Sequence, residues 1–171
     1  AFGGFGTDPG TRIETLNVAG GSVLVVDQKM TSGSTFNLTG GSISGGTIHW
    51  RDSTIQALAS STTSTISSDL MIRPDYGTPT LSIDVADGAA ATDLLFSGII
   101  KQSSPSGNLF KSGAGNLEIS ADNTYTGTTT VSGGTLTITG FSYSSQVTVA
   151  SSATLAGNGS IQGNVTISAG G

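Results

Sequence analysis

The chain has 171 residues, with 26 Gly, 4 Pro and no Cys, and only 10% of it is charged, against about 25% in an average globular domain. It counts 26 Ser and 25 Thr and carries a net charge of −5, with its basic residues (Arg12, Lys29, Arg51, Arg73, Lys101, Lys111) scattered singly. These figures exclude a disulfide or thiolate-metal scaffold, a basic phosphate-binding face and, because the glycines lack a G-x-y period, a collagen; no apolar run approaches the roughly 18 residues of a membrane helix.

Taken in chain order, the local pattern is nearly all strand. Ala1-Phe2-Gly3-Gly4 lacks the basic and apolar regions of a signal peptide, so the chain reads as an internal piece of a longer exported protein. Short runs then alternate apolar residues with Ser, Thr or Asn: Thr15–Val18, Thr35–Leu38, Thr80–Val85, Asn116–Ile119, Thr135–Ile138, Gln146–Val149 and Asn164–Ile167. A period of two puts one set of side chains inside and the other in solvent. Gly20-Gly21, Gly40-Gly41, Gly45-Gly46 and Gly133-Gly134 punctuate the runs as turns. Ser60 to Thr80, with Pro74 and Pro79, is an irregular stretch and the candidate loop insertion (60–80). Asp87 to Ile100 is the best helical candidate, but its Phe96-Ser97-Gly98-Ile99-Ile100 end reads better as strand.

The runs recur. Leu117, Leu136 and Leu155 are 19 apart; Thr130-Val131, Thr148-Val149 and Thr166-Ile167 are 18 apart; Gly20-Gly21-Ser22-Val23 returns 20 residues on as Gly40-Gly41-Ser42-Ile43. Such a period, with several short strands per copy, predicts a β-solenoid of about 18–20 residues per coil. Like residues then stack along the axis, and low charge follows because stacked like charges repel. A sandwich or closed barrel also fits short, regularly spaced strands, but not the return of the same motif.

Residues 107–136 carry a resemblance. Lys111, Gly113, Gly115, Leu117, Asn123, Thr124, Tyr125, Thr126, Gly127, Thr129, Val131, Gly134, Thr135 and Leu136 fit the pattern L-x-K-x-G-x-G-T-L-x-L-x-G-x-N-T-Y-T-G-x-T-x-V-x-x-G-T-L. Asn116 replaces the usual Thr, and Ala121-Asp122 the usual Gly-Ala. The stretch resembles the autotransporter-associated β-strand repeat, the passenger-associated transport repeat of Gram-negative autotransporters. Good resemblance covers 94–171; residues 1–93 share only composition and strand spacing. The resemblance implies an all-β, right-handed parallel β-helix over 1–171, one segment of a longer passenger, secreted or held on the cell surface of a Gram-negative bacterium. It also implies a role in type V secretion, with the chain's own C-terminal outer-membrane β-barrel translocator as partner.

Candidate chemistry is sparse. His49-Trp50-Arg51 offers ring stacking for a sugar, against the alternative of a polar residue on an exterior strand face. Tyr125 reads as packing over a coil corner, with Asn123 bonding turn backbone, and stacked Asn residues are expected to form amide ladders. Asp69, Arg73 and Asp75 form one carboxylate group and Asp84 and Asp87 another, the only basis for a polysaccharide-active enzyme; no Asp-Asp pair or nucleophile elbow supports it. Asn37, Asn158 and Asn164 head glycosylation sequons that a Ser/Thr-rich chain produces by chance. No residue is therefore assigned as catalytic, cofactor-binding or metal-binding, and no cofactor or nucleic-acid partner is expected. The favoured reading is a non-enzymatic structural stem that supports secretion and displays a distal region. An adhesin or a secreted effector binding a host-cell receptor or glycan, with a part in virulence, is the first alternative, and the enzyme the second.

Overall fold

The structure, a computed structural model, describes residues 14–26, 28–30, 32–73, 80–103 and 106–168. The strands follow one another in threes. The first turn is β1 (Thr15–Ala19), β2 (Ser22–Val25) and β3 (Gln28–Lys29); the second is β4 (Thr35–Thr39), β5 (Ser42–Gly45) and β6 (Thr47–Trp50). The third is β7 (Thr54–Ala57), β8 (Ser64–Ile66) and β9 (Asp69–Ile72), and the fourth β10 (Thr80–Val85), β11 (Leu94–Phe96) and β12 (Ile100–Gln102). The fifth has β13 (Asn108–Ser112) and β14 (Asn116–Ile119) but no third strand. The sixth is β15 (Thr128–Val131), β16 (Gly134–Ile138) and β17 (Phe141–Ser142); the seventh is β18 (Gln146–Val149), β19 (Ala153–Ala156) and β20 (Ser160–Ile161), after which β21 (Asn164–Ile167) begins another.

Among the described residues the strands pair in parallel, always between successive turns, with one isolated antiparallel bridge between Ala19 and Gly40. Among the described residues one wall runs β1-β4-β7-β10-β13-β15-β18-β21, a second β2-β5-β8-β11-β14-β16-β19, and a third is split into β3-β6-β9-β12 and β17-β20. This is a parallel β-solenoid of about seven turns, as the repeat predicts. Parallel sheets normally need helices on both faces; here one face of each wall looks into a shared interior and the other carries Ser, Thr and Asn to solvent.

Inward positions stack as columns. On the first wall Leu16, Phe36, Ile55, Ile83, Lys111, Val131, Val149 and Ile167 lie in register. On the second, Val23, Ile43, Ile66, Phe96, Ile119 and Ile138 do so, as do Leu94, Leu117, Leu136 and Leu155. Most of these side chains are fully buried, each such burial being worth roughly 1.5–3 kcal/mol. One rung of an outward amide stack forms, Asn37 Nδ2 donating to Asn17 Oδ1 at 2.7 Å, and the column passes on to Gln56.

The step length varies. Five steps on the first wall fall at 18 to 20 residues, for example Thr15 over Thr35 and Gln146 over Asn164. The two central steps, Ile55 to Ile83 and Ile83 to Lys111, take 28. The extra residues fall between strands, partly in the corners 58–63 before β8 and 86–93 before β11 and partly in the segments of chain between β9 and β10 and between β12 and β13, so the walls keep register. Within the stretch 60–80, β8 and β9 are wall strands; 74–79, and with them Pro74, Asp75 and Pro79, lie outside the described residues. Residues 87–100 form no helix: 87–93 is a bent corner, followed by β11 and the start of β12.

Candidate functional site

The fifth turn is where the rod departs from its own rule. In place of a third-wall strand it has Asn123-Thr124-Tyr125-Thr126-Gly127, which is stitched to both neighbouring turns. Downward, Asn123 Oδ1 accepts the Ile100 N–H at 2.9 Å, the Thr124 and Gly127 N–H groups donate to the Ile100 and Gly107 carbonyls, and Gln102 Oε1 accepts the Thr126 N–H at 2.8 Å. Upward, the Asn123 N–H donates to the Phe141 carbonyl, and the Tyr143 N–H to that of Asn123. The Asn123 side chain thus supplies an acceptor that a strand carbonyl supplies elsewhere. It joins the two pieces of the third wall through the single bridge Asn123–Ser142. Gly127 is required by close approach: a Cβ there would run into the Gly107 carbonyl oxygen and Asn108 Oδ1.

Tyr125 points inward and is fully buried rather than lying over a corner. Its hydroxyl meets Thr129 Oγ1 at 2.8 Å; Thr129 Oγ1 donates to Ser144 Oγ at 3.0 Å, and Ser142 Oγ donates to Tyr125 Oη at 3.4 Å. Ser144 Oγ in turn lies 3.0 Å from the carbonyls of Gly127 and Gln146. Four hydroxyls therefore share one buried network, which meets the demand that interior polar groups be paired. Burial pushes the Tyr125 phenol above its ordinary value, against the pull of its bonds with Ser142 and Thr129.

Lys111 is the second departure. It occupies the apolar column between Ile83 and Val131 and is fully buried. Its Nζ donates to the carbonyls of Ser112 (3.1 Å), Gly113 (2.8 Å) and Gly133 (2.9 Å), which uses all three ammonium protons. Burial lowers its pKa to about 8, opposed by Asp84 and Asp93. Asp93, buried at the neighbouring corner, accepts the Gly88 and Asn116 N–H groups at 2.8 Å each. Asp93 was not among the carboxylates singled out by sequence; its place just ahead of Leu94 gives no local signal of contacts made to residues 88 and 116.

The sequence-predicted carboxylates do not converge. Asp69 lies on the third wall in the third turn, where it holds Lys101 Nζ at 2.9 Å and the Ile99 N–H at 3.0 Å. Burial pushes its carboxyl up, but the Lys101 and Ile99 hydrogen bonds and the Lys101 charge outweigh that and hold it below its ordinary value. Asp84 is on the first wall, accepting from Ser112 Oγ at 2.8 Å, and Asp87 is exposed in the following corner. Arg73 follows β9 on the third wall. Among the described residues no three His, Asp or Glu side chains gather as a metal site. Trp50 overturns the sugar-stacking reading of His49-Trp50-Arg51: alternation in β6 turns it inward beside Ile48. There it is fully buried, edge-on to Phe36 at 5.3 Å, with its indole N–H on the Ser53 carbonyl at 3.1 Å.

An open hollow of about 430 Å³ lies over the sixth and seventh turns, lined by Asp122, Thr139, Phe141, Tyr143, Asn158 and Ser160 together with Gly140 and Gly159. The Phe141 and Tyr143 rings meet at 4.6 Å, tilted by 57°.

Set against known proteins, no curated protein and no solved structure matches the chain. Residues 109–138, which take in most of β13 together with β14, the N-T-Y-T-G seam, β15 and β16, match the family model of the passenger-associated-transport-repeat. The chain thus carries an autotransporter passenger repeat within a β-solenoid, which indicates a passenger-associated role.

Proposed function

We propose that this chain is a structural stem of an autotransporter passenger: it folds outside the cell, assists its own export through a C-terminal β-barrel translocator in the outer membrane, and holds a distal region away from the surface. The observation that carries this reading is that, among the described residues, strands pair only with those of the turn before or the turn after. A rod of that kind grows by addition, each finished turn offering the hydrogen-bonding edge and apolar columns on which the next condenses. A turn folded outside resists return through the pore, so stacking can bias the direction of movement. A non-catalytic role is supported by the carboxylates, which are used as an ion pair at Asp69 and as corner ties at Asp93.

The test is surface yield. In cells expressing the passenger with its translocator barrel, Gly127→Val and Gly134→Val are expected to lower the amount of passenger outside the cell several-fold while the barrel remains at its normal level in the membrane. Gly134 has a φ of 60° and an added Cβ would meet the Gly115 carbonyl oxygen at 2.5 Å, so both changes strike stacking directly. Unchanged export of a rod that proteolysis shows to be loosened would refute the stem role.

A further inference from the structure

Apolar residues take most inward positions on the walls, with Ser64, Lys111 and Thr129 as isolated exceptions, but Phe141-Ser142-Tyr143-Ser144 reverses the order over two successive pairs. There the parity is inverted: Ser142 and Ser144 are buried, Tyr143 is 43% exposed and Phe141 is partly so. The inward serines are explained by the hydroxyl network around Tyr125. The outward aromatics are not: apolar residues such as Leu24 and Phe110 also face outward on other walls, but among the described residues Phe141 and Tyr143 are the one pair of solvent-facing rings in contact. Two rings in contact on a solvent face, inside a hollow whose other side chains are short and polar, are the anatomy of a small-ligand site.

The chemistry of the lining narrows the ligand. Tyr143 offers a ring face for C–H groups, while Thr139, Asn158 and Ser160 offer donors and acceptors around it. Asp122 accepts the Phe141 N–H through Oδ1 at 3.0 Å, which leaves Oδ2 as an acceptor for hydroxyl donors. Glu118 stands beside the hollow, accepting from Thr139 Oγ1 at 3.2 Å. With two carboxylates and no cation among these residues, an anionic ligand is repelled. We infer that the Phe141–Tyr143 hollow is a binding site for a neutral saccharide, whose ring stacks on Tyr143 and whose hydroxyls bond Asp122, Asn158 and Ser160. A peptide would instead have to use a basic side chain against Asp122.

The test is to apply the purified chain to an array of galactose-, glucose- and mannose-terminated oligosaccharides printed beside sialylated and sulfated ones and lysine-rich peptides. The expected result is capture of at least one neutral glycan, weakened tenfold or more by Tyr143→Ala and several-fold by Asp122→Asn. Tyr143→Phe should retain it, as should Phe110→Ala, which removes an exposed ring (37%) on the first wall. Circular dichroism of Tyr143→Ala should remain that of the parent, since the side chain is largely outside the core. Capture confined to acidic glycans or to lysine-rich peptides, neutral-glycan binding that Tyr143→Ala leaves intact, or no capture at all would each overturn the assignment. None of these outcomes bears on surface yield, so the stem role stands or falls separately.

Discussion

A lysine inside an apolar column needs a reason, and Lys111 has one in the three carbonyls that close around it. A corner between β13 and β14 leaves main-chain oxygens facing the interior, where an unpaired acceptor is costly. The long stem of lysine fills the column as an aliphatic side chain would, and its tip supplies three donors at once. The exchange has a signature in pH. The unfolded chain holds the lysine proton to about pH 10.4, whereas the folded chain releases it at about 8. Between those values the unfolded state binds more protons, so stability rises with pH, with a slope of at most about 1.4 kcal/mol per unit. Tyr125, held above its ordinary value, works in the opposite sense once pH exceeds about 10. Urea midpoints measured from pH 7 to 10 should climb for the parent and stay level between pH 8 and 10 in Lys111→Met. Parity alone would have placed this residue, since Lys111 is two positions after the inward Leu109. Its charge argues for the opposite face, and nothing local in the sequence shows that three carbonyls converge there.

Among elements, the seam at Asn123 holds the third wall together across a turn that lacks its strand. Asn123→Ala removes the acceptor for a buried main-chain donor, the Ile100 N–H, and the bond to the Ala121 carbonyl. Loss of about 2–4 kcal/mol is expected from an orphaned N–H and a vacated corner, read as a fall in the urea midpoint. Hydrogen exchange should quicken first at Ile100 and Thr124. The wall strands themselves were legible because period-two alternation and an 18-to-20-residue return both report stacking directly. The 28-residue turns were not, because residues added between strands leave wall register untouched and announce themselves only as a skipped beat. The same alternation, followed strictly, places Trp50 inside beside Ile48. Reading His49-Trp50-Arg51 as a surface cluster set chemistry ahead of periodicity. At Phe141 and Tyr143 the reverse holds: hydrophobicity predicts burial, and only the buried hydroxyl partners of Ser142 and Ser144 explain why the rings face out.

Across the whole molecule, stability is shared between neighbours and has no single centre. Whole turns should therefore be removable where partial turns are not. Gln146 pairs Thr128 and Asn164 pairs Gln146, so excising residues 146–163 seats Asn164 on Thr128 with every first-wall column preserved. The shortened chain should keep its β-sheet circular dichroism and unfold with a proportionately smaller denaturant slope. Excising only residues 146–154 breaks that register and should cost far more stability, seen as a broad, low-temperature melt. Equal losses in the two deletions would show that the turns are not the cooperative units.

The same lysine sets a rule for any longer rod. Its column neighbours are about 4.8 Å away along the axis, and here they are Ile83 and Val131. Two ammonium groups at that spacing would repel by about 3–4 kcal/mol at the effective dielectric of a protein, and each would claim carbonyls that the other needs. A filament of this architecture cannot be made by concatenating the lysine-bearing winding end to end: uncharged windings must separate successive copies, so the cation acts as punctuation whose minimum interval is written into the electrostatics of the core.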